Sequence, residues 1–135
     1  YRVDSVSGDA GISYYPIAKA TLGMNLGGGV DNDGVSTIRA GYYTVKPSAA
    51  YRFSGKGHIE TSYALTSVTL NNFKGGMRLP YTMAQGQKNG RNHNISMIFD
   101  YRLSERMNLI VTYTGRKFAD QNFENFARAQ IRALF

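Results

Sequence analysis

Apolar and polar residues alternate along most of this chain. Five segments share the alternation: 41–53, 57–65, 94–103, 107–116 and 127–135. In all five, the large apolar side chains concentrate at odd positions and every charged residue stands at an even one. A period of two is that of a β-strand, whose successive side chains point to opposite faces of a sheet. Because a shift of one residue would invert a strand, the common parity predicts one sheet with an apolar and a polar face.

Two stretches of the chain repeat each other at an offset of 50 residues. "YRFSGKGHIETSY" (51–63) and "YRLSERMNLIVTY" (101–113) both begin with Tyr-Arg, carry Ser in fourth place and end on Tyr. Each predicts a strand, a tight turn at 54–56 or 104–106, and a second strand. Since paired residues share a face, each turn should hold an odd number of residues, and three is the commonest. The predicted pairs are Phe53 with Gly57, Leu103 with Met107, Arg52 with His58, Arg102 with Asn108, and Asp100 with Ile110.

Longer polar segments occur at the opposite ends of the predicted strands. "GGGVDNDG" (27–34) and the Gly- and Asn-rich residues 71–92 are predicted as loops. Upstream, residues 16–27 alternate with their apolar side chains at even positions and predict a further strand, and residues 1–7 predict a partial one. The prediction is therefore an all-β, antiparallel up-and-down meander of about six to eight strands.

Short turns at one end and long loops at the other are typical of a transmembrane β-barrel, whose outer side is apolar and whose interior is polar. Aromatic residues are predicted at both limits of the apolar band: Tyr51, Phe53, Tyr101 and Phe135 at the short-turn end, and Tyr43, Tyr63, Tyr113 and Phe123 at the other. Closed bacterial barrels have an even number of at least eight strands. Residues 1–135 are therefore predicted to be a single barrel segment, the C-terminal strands of a larger barrel, with 71–92 as a long extracellular loop.

The composition narrows the classes of function. The chain has 135 residues, a formal net charge of +7 and no cysteine, so one domain without a disulfide framework is expected. No apolar run approaches the roughly 18 residues of a membrane-spanning helix. A basic, tyrosine-rich chain could bind nucleic acid, but the shared parity separates the arginines from the tyrosines. No nucleic-acid partner is predicted.

The last nine residues, "ARAQIRALF" (127–135), carry apolar side chains at alternate positions and end on Phe. This stretch resembles the C-terminal strand of bacterial outer-membrane β-barrel proteins. The matching positions are Ala127, Ala129, Ile131, Ala133 and Phe135. The resemblance implies a signal for the barrel-assembly machinery, residence in the cell outer membrane of a Gram-negative bacterium, and contact with outer-membrane lipid. The alanines depart from the larger apolar residues of that pattern.

The charged residues of the polar face would line the interior of such a barrel. They are Lys46, Arg52, Glu60, Asp100, Arg102, Arg116, Arg128 and Arg132. Two interpretations stay open: a solvated, salt-bridged interior, or a basic, porin-like lining that favours anionic solutes and requires an open pore. No catalytic site is predicted, since His58 and His93 belong to no spacing motif. No metal or cofactor is predicted either, because cysteine is absent and "DNDG" (31–34), predicted as a turn, lacks the later glutamate of a calcium loop.

The sequence therefore predicts an integral outer-membrane β-barrel protein, not an enzyme, with a structural, transport or secretion role in the cell envelope. Its expected partners are lipid, the assembly machinery and, if it belongs to a complex, other envelope subunits. The alternative is a soluble, secreted β-sandwich binding module, in which a second sheet packs on the apolar face. The two predictions differ in what covers the apolar face.

Overall fold

The fold is a single antiparallel β-sheet of seven strands, seen in a computed structural model that describes residues 3–34, 38–53, 55–71, 89–119 and 121–133. Each described strand pairs with its neighbours in the sequence, and β1 and β7 form the two edges. The strands are β1 (Val3–Ile17), β2 (Ala20–Asp33), β3 (Arg39–Phe53), β4 (Gly57–Asn71), β5 (Gly90–Ser104), β6 (Met107–Lys117) and β7 (Glu124–Ala133). The predicted all-β meander is confirmed. The described residues include no helix long and apolar enough to cross a membrane.

Cross-strand pairing divides the side chains into two faces of contrasting chemistry. Directly paired residues lie on the same face, and the pairs join Leu26 to Val45 and Val45 to Leu65. The apolar face therefore comprises the even positions of β2 and the odd positions of β3 to β7. In β1 it comprises the even positions up to Tyr14, where the register shifts before Ile17. The remaining positions form the polar face, so the predicted shift in parity between the first strands and the rest is confirmed.

The first hairpin differs from its prediction. Residues 1–7 are predicted as a partial strand, but β1 is a strand of 15 residues. The predicted strand 16–27 is divided by a turn at residues 18–19. Alternation alone misses this turn because the apolar residues keep the same parity on both sides of it. Ala-Lys is also not a typical turn pair.

The predicted loop 27–34, including its turn at DNDG, is wrong, since β2 continues to Asp33. Gly28 pairs with Gly8 on one side and with Tyr43 on the other. Two neighbouring strands thus hold the glycine run extended, although glycine has a low intrinsic preference for strands. The pairing of whole strands overrides local propensity here.

The predicted loop 71–92 is too long at both ends. β4 runs to Asn71 and β5 begins at Gly90. Gly90 has a φ of 100°, a conformation that glycine adopts without the steric cost of a side chain. Residues 72–88 lie outside the described residues, and with them the predicted extracellular loop.

The short turn between β3 and β4 matches its prediction. Phe53 pairs with Gly57, which leaves three residues in the turn. Gly55 in the middle has a φ of 64°, in the left-handed region that glycine adopts at low cost. The pair Arg52–His58 continues the register as predicted.

The short turn between β5 and β6 corrects one predicted pair. Met107 pairs with Ser104, not with Leu103, so the turn holds two residues, and a bulge at Leu103 takes up the extra residue. The residue equivalent to Gly55 is Glu105, and a non-glycine residue rarely adopts a left-handed conformation. Because the bulge restores the parity, the structure confirms the remaining predicted pairs, Arg102 with Asn108 and Asp100 with Ile110.

Successive hairpins are offset along the strands in a regular way. The backbone N–H of Arg52 donates to the carbonyl of Lys19, and the backbone N–H of Arg102 donates to the carbonyl of Lys56, both at 2.8 Å. The two donors, Arg52 and Arg102, are equivalent positions of the predicted 50-residue repeat. The offset is measured along the strands, from the level at which the residues of one hairpin pair with the next. On this measure the tip of each short turn extends beyond the preceding tip by roughly 2.5 residues, about 8 Å.

Aromatic side chains of β3 and β5 stack on the apolar face near the short turns. The ring centroid of Phe53 lies 5.8 Å from that of Phe99 and 6.0 Å from that of Tyr101. Tyr51 continues the stack, 6.4 Å from Phe53. The Phe53 ring covers Gly57 so closely that a Cβ there would overlap it. Glycine at position 57 therefore provides the space for this aromatic cluster.

We expect Gly57→Val to lower the free energy of unfolding by about 1–3 kcal/mol, because the Phe53 ring cannot move without disturbing its stacked neighbours. Gly41→Val is the matched control. Gly41 lies on the same face of the sheet, in β3, and a Cβ added to it would meet no atom within 4 Å. Urea unfolding of the two variants should show the loss at position 57 and little change at position 41. Equal losses would contradict the proposed role of Gly57.

The buried side chains of the sheet lie on its polar face. Ala40 of β3 and Val68 of β4 are 0% and 2% exposed and pack with Ile38, which immediately precedes β3. Val3, Tyr42 and Leu70 pack against this small core. The polar residues buried with it are Asp31, Asp33, Thr66 and Asn92. The core therefore occupies the long-loop end of the polar face, where the sequence predicts none.

The apolar face, in contrast, is exposed. Val6 is 78% exposed, Ile12 71% and Ile131 64%, and all three belong to this face. The other large, exposed apolar residues of this face include Tyr14, Leu22, Met24, Leu26, Val30, Tyr43, Tyr51 and Met107. The distribution is the reverse of a soluble sheet, in which the apolar face packs on the core.

Candidate functional site: the polar face of the sheet

The structure places all eight predicted interior residues on the polar face. They are Lys46 and Arg52 of β3, Glu60 of β4, Asp100 and Arg102 of β5, Arg116 of β6, and Arg128 and Arg132 of β7. The alternation of each strand sends these side chains to the same side. The face thus forms one polar surface that extends over five strands.

Three arginines on alternate strands lie close to the short-turn end of this surface, and we call them the arginine belt. Arg102 of β5 and Arg132 of β7 both pair with Asn108 of β6, which lies between them. Arg52 of β3 occupies the equivalent position one hairpin earlier, beside His58. All three arginines are exposed. The belt is therefore a row of solvated positive charges near one end of the sheet.

Two carboxylates lie among these arginines. Asp100 pairs with His58, and the Nε2 atom of His58 lies 3.6 Å from an Oε atom of Glu60. Within the described ranges, the side chains of the arginine belt form no ion pair. The surface at this end keeps an excess of positive charge, because its arginines outnumber its carboxylates.

The long-loop end of the polar face is more acidic and more tightly packed. Asp31 is 3% and Asp33 is 6% exposed. Nearby, the hydroxyls of Thr44 and Thr66 share a hydrogen bond of 2.9 Å, and the side-chain amide of Asn92 donates to the carbonyl of Thr66. On β2 to β5 the polar face therefore changes along its length, from buried acidic groups at the long-loop end to exposed arginines at the short-turn end.

The polar face of β1 and β2 differs from the rest because its residues are small. They include Ser5, Ser7, Gly11, Ser13, Gly23, Asn25, Gly27 and Gly29. A groove of about 340 Å³ runs between this region and the side chains of Tyr42, Thr44 and Lys46. A second groove of about 400 Å³ at the short-turn end is lined by Tyr15, Lys19, Arg52, His58 and Glu60. Space on this face is therefore available beside the charged strands.

The two histidines are not brought together. His58 lies on the polar face near a short turn, whereas His93 lies on the apolar face near the opposite end. In the described part of the chain, no three His, Cys, Asp or Glu side chains come together in a way that could hold a metal ion. The expectation that the protein is not an enzyme and binds no cofactor stays a prediction.

The predicted assembly signal falls on the edge strand β7. Its residues Ala127, Ala129, Ile131 and Ala133 share the apolar face and are exposed. Phe135 lies outside the described residues. The edge position leaves one side of β7 without a paired strand among the described residues. The role of these residues in assembly stays a prediction.

Several residues near the long-loop end have no counterpart in the predicted site. Tyr42 and Val68 break the simple parity by placing apolar side chains on the polar face. Arg39, Arg91 and Lys117 break it in the opposite sense, since they carry charge on the apolar face. The segments predicted from the alternation end before most of these positions, so the pattern could not reveal them.

The chain matches no protein family, and it is not significantly similar to any curated protein or any solved structure. The seven-stranded meander is therefore interpreted from its own geometry and chemistry.

Proposed function

We propose that this chain is part of an integral outer-membrane β-barrel, with its apolar face toward lipid and its polar face toward the barrel interior. The observation that carries the proposal is the reversal of burial: most of the large, exposed apolar side chains belong to one face, and the buried side chains belong to the other. Exposed apolar patches of this extent are typical of surfaces that contact a partner or a membrane. The function would be structural, transport or secretion in the cell envelope.

The apolar face carries a band without charged residues, and the height of this band supports a membrane location. On β6 the apolar face carries no charge from Met107 to Gly115, and the first charge is Lys117. In β3 the first charge on this face is Arg39, and in β5 it is Arg91, both at the long-loop end. For strands tilted by about 40°, ten residues rise by about 25 Å, which is the height of the apolar band of outer-membrane barrels.

The offset between hairpins supports that tilt. Each short turn extends about 8 Å beyond the one before it, over two strand spacings of about 4.8 Å each. Placing the three short turns in one plane tilts the strands by about 40° from the normal of that plane. Strands in closed barrels tilt by about 35–45°. The register is therefore compatible with a barrel whose short turns lie at one membrane surface.

The number of strands supports a larger barrel. In a seven-strand meander β1 and β7 run in the same direction, so direct pairing of these edges would be parallel. Antiparallel closure needs an odd number of further strands, and lipid does not tolerate an open sheet edge. We therefore propose that the seven strands are a segment of a larger barrel, as the sequence predicts.

Extraction and gel mobility test the proposal. The complete polypeptide should stay in the membrane fraction until detergent is added, and should migrate differently on gels before and after boiling. A soluble β-sandwich would remain in the aqueous phase, because its apolar face would be covered by a second sheet. The described residues contain one sheet only. Aqueous, heat-insensitive protein would contradict the proposal.

A charge reversal in the arginine belt tests the transport option. In a planar bilayer, Arg102→Glu combined with Arg132→Glu should shift the permeability ratio several-fold toward cations, because rings of charge set ion preference at close range. The control is Lys56→Glu combined with Arg106→Glu, the same change in the short turns. An unchanged ratio in the belt variant would exclude this lining as a selectivity element, and a wild-type protein without conductance would exclude the transport option.

A further inference from the structure

Three polar side chains lie together at the long-loop end of the apolar face, where polar residues replace the apolar ones. Lys117 of β6 lies directly opposite His93 of β5, and Arg91 lies two residues along β5 on the same face. Directly opposite Cβ atoms are about 5 Å apart, and alternate residues of a strand about 7 Å. Arg91 and Lys117 are exposed. We call these three residues the loop-end cationic patch.

The described residues offer the patch no acidic partner on its own face. From β3 to β7 the described residues of the apolar face include no Asp or Glu. Glu124, close to Lys117 in the sheet, lies on the polar face opposite Arg116. Within the described part of the chain, neither Arg91 nor Lys117 forms an ion pair. The positive charge of the patch is therefore open to an anion from outside.

His93 is held in a defined orientation by Tyr63. The Tyr63 hydroxyl oxygen lies 2.6 Å from Nδ1 of His93, and both side chains are half-buried. When the hydroxyl donates to Nδ1, the ring proton lies on Nε2, which stays available as a donor. In that tautomer the patch combines a guanidinium, an ammonium and an oriented ring N–H, three groups suited to phosphate oxygens.

The surface directly toward the short turns from the patch is apolar. Leu65 pairs with His93, and Ile95 is the next residue of β5 on this face. Val45 continues this surface on β3 beside Leu65. A ligand that matches the whole region would place negative charge on the patch and hydrocarbon on the residues below it. This combination of chemistry is that of an anionic lipid.

We propose that the loop-end cationic patch binds the phosphate-bearing headgroup of an anionic lipid, whose acyl chains lie against Leu65, Ile95 and Val45. The inference rests on the proposed membrane location of the apolar face. Cationic side chains at the edge of a bilayer attract anionic headgroups, with a gain for each Lys or Arg that falls off with ionic strength.

The experiment compares lipids retained by the complete chain in detergent micelles. The purified protein is exposed to equal amounts of phosphatidylglycerol and phosphatidylcholine, and the retained lipids are counted by mass spectrometry. Wild-type protein should prefer the anionic lipid by about tenfold, and Arg91→Gln combined with Lys117→Gln should abolish the preference. The matched control is Arg116→Gln combined with Arg128→Gln, which removes the same charge from the polar face of β6 and β7 and should leave the lipid preference unchanged.

Each outcome has a distinct meaning. Folded, detergent-bound protein that retains both lipids equally, or a patch variant with the wild-type preference, would contradict the proposed lipid site alone. Displacement of the lipid by millimolar inorganic phosphate would also contradict it, because it would indicate a site for free phosphate without a role for the acyl chains. Protein that stays in the aqueous phase and shows no heat-dependent shift on a gel would contradict the proposed membrane function and the lipid site with it.

Discussion

Arginine in place of Val111 is expected to reduce the stability of the protein folded in a bilayer by about 2–4 kcal/mol. Val111 lies on the apolar face of β6, between Phe99 of β5 and Ala129 of β7. With the strand tilt given above, it stands about 14 Å above the short turns, near the middle of a 25 Å band. A guanidinium there would have to lie in hydrocarbon or distort the bilayer to reach water.

The neighbouring residue Ile110 provides the control. It is also apolar and belongs to the same strand, but it lies on the polar face between Asp100 and Gln130. Ile110→Arg should cost less than about 1 kcal/mol, because the new charge meets a carboxylate in a solvated surface. Thr112→Arg should be nearly as mild, although Thr112 pairs with Arg128. Urea titrations in lipid vesicles measure the differences, and equal costs at 110 and 111 would indicate burial on both faces.

Replacement of Phe135 is expected to reduce the amount of protein inserted in cells by about tenfold or more, while costing the folded protein at most part of the roughly 1.5–3 kcal/mol of a buried side chain. The expectation follows from the resemblance of residues 127–135 to a strand that the assembly machinery recognises. A recognition signal acts before folding is complete. Its loss should therefore affect the yield more than the stability of the inserted protein.

Phe126→Ala is the control for this prediction. Phe126 has the same side chain, belongs to β7, is 66% exposed, and lies on the polar face opposite Thr114. Its replacement should leave the inserted yield close to that of wild type. Quantitative blots of the outer-membrane fraction compare the two variants, with unfolding of refolded protein as the measure of stability. A normal yield for Phe135→Ala would contradict the role of the terminal strand as a signal.

The alternation of the sequence was sufficient to predict the faces of the sheet, because a strand has only two of them. The pair Arg52–His58 follows from parity and turn length alone, whereas Asp100–Ile110 also depends on the bulge at Leu103, which compensates for the shorter turn. The terminal pair at Met107 did not follow, since a bulge can exchange a three-residue turn for a two-residue turn without changing the faces. Local turn chemistry, here Glu105 in place of a glycine, decides between them.

Other features depend on contacts between strands and are not visible in a local pattern. The glycines of β2 have little strand preference of their own, yet Gly29 pairs with Tyr42, whose side chain lies over it. The buried position of Asp33 follows from the packing of the long-loop end, whereas its sequence context suggests an exposed turn. The cationic patch likewise needs the register that sets Lys117 opposite His93.

The central claim is that the apolar face of β6 contacts lipid while its polar face contacts water. The chain contains no cysteine, so single cysteines at positions 108 to 113 can each carry an environment-sensitive fluorophore. In the complete chain reconstituted into vesicles, labels at 109, 111 and 113 should be quenched by brominated lipid, and labels at 108, 110 and 112 by aqueous iodide. Labels at the odd positions that neither quencher reaches would indicate a second protein layer on the apolar face and would contradict the account.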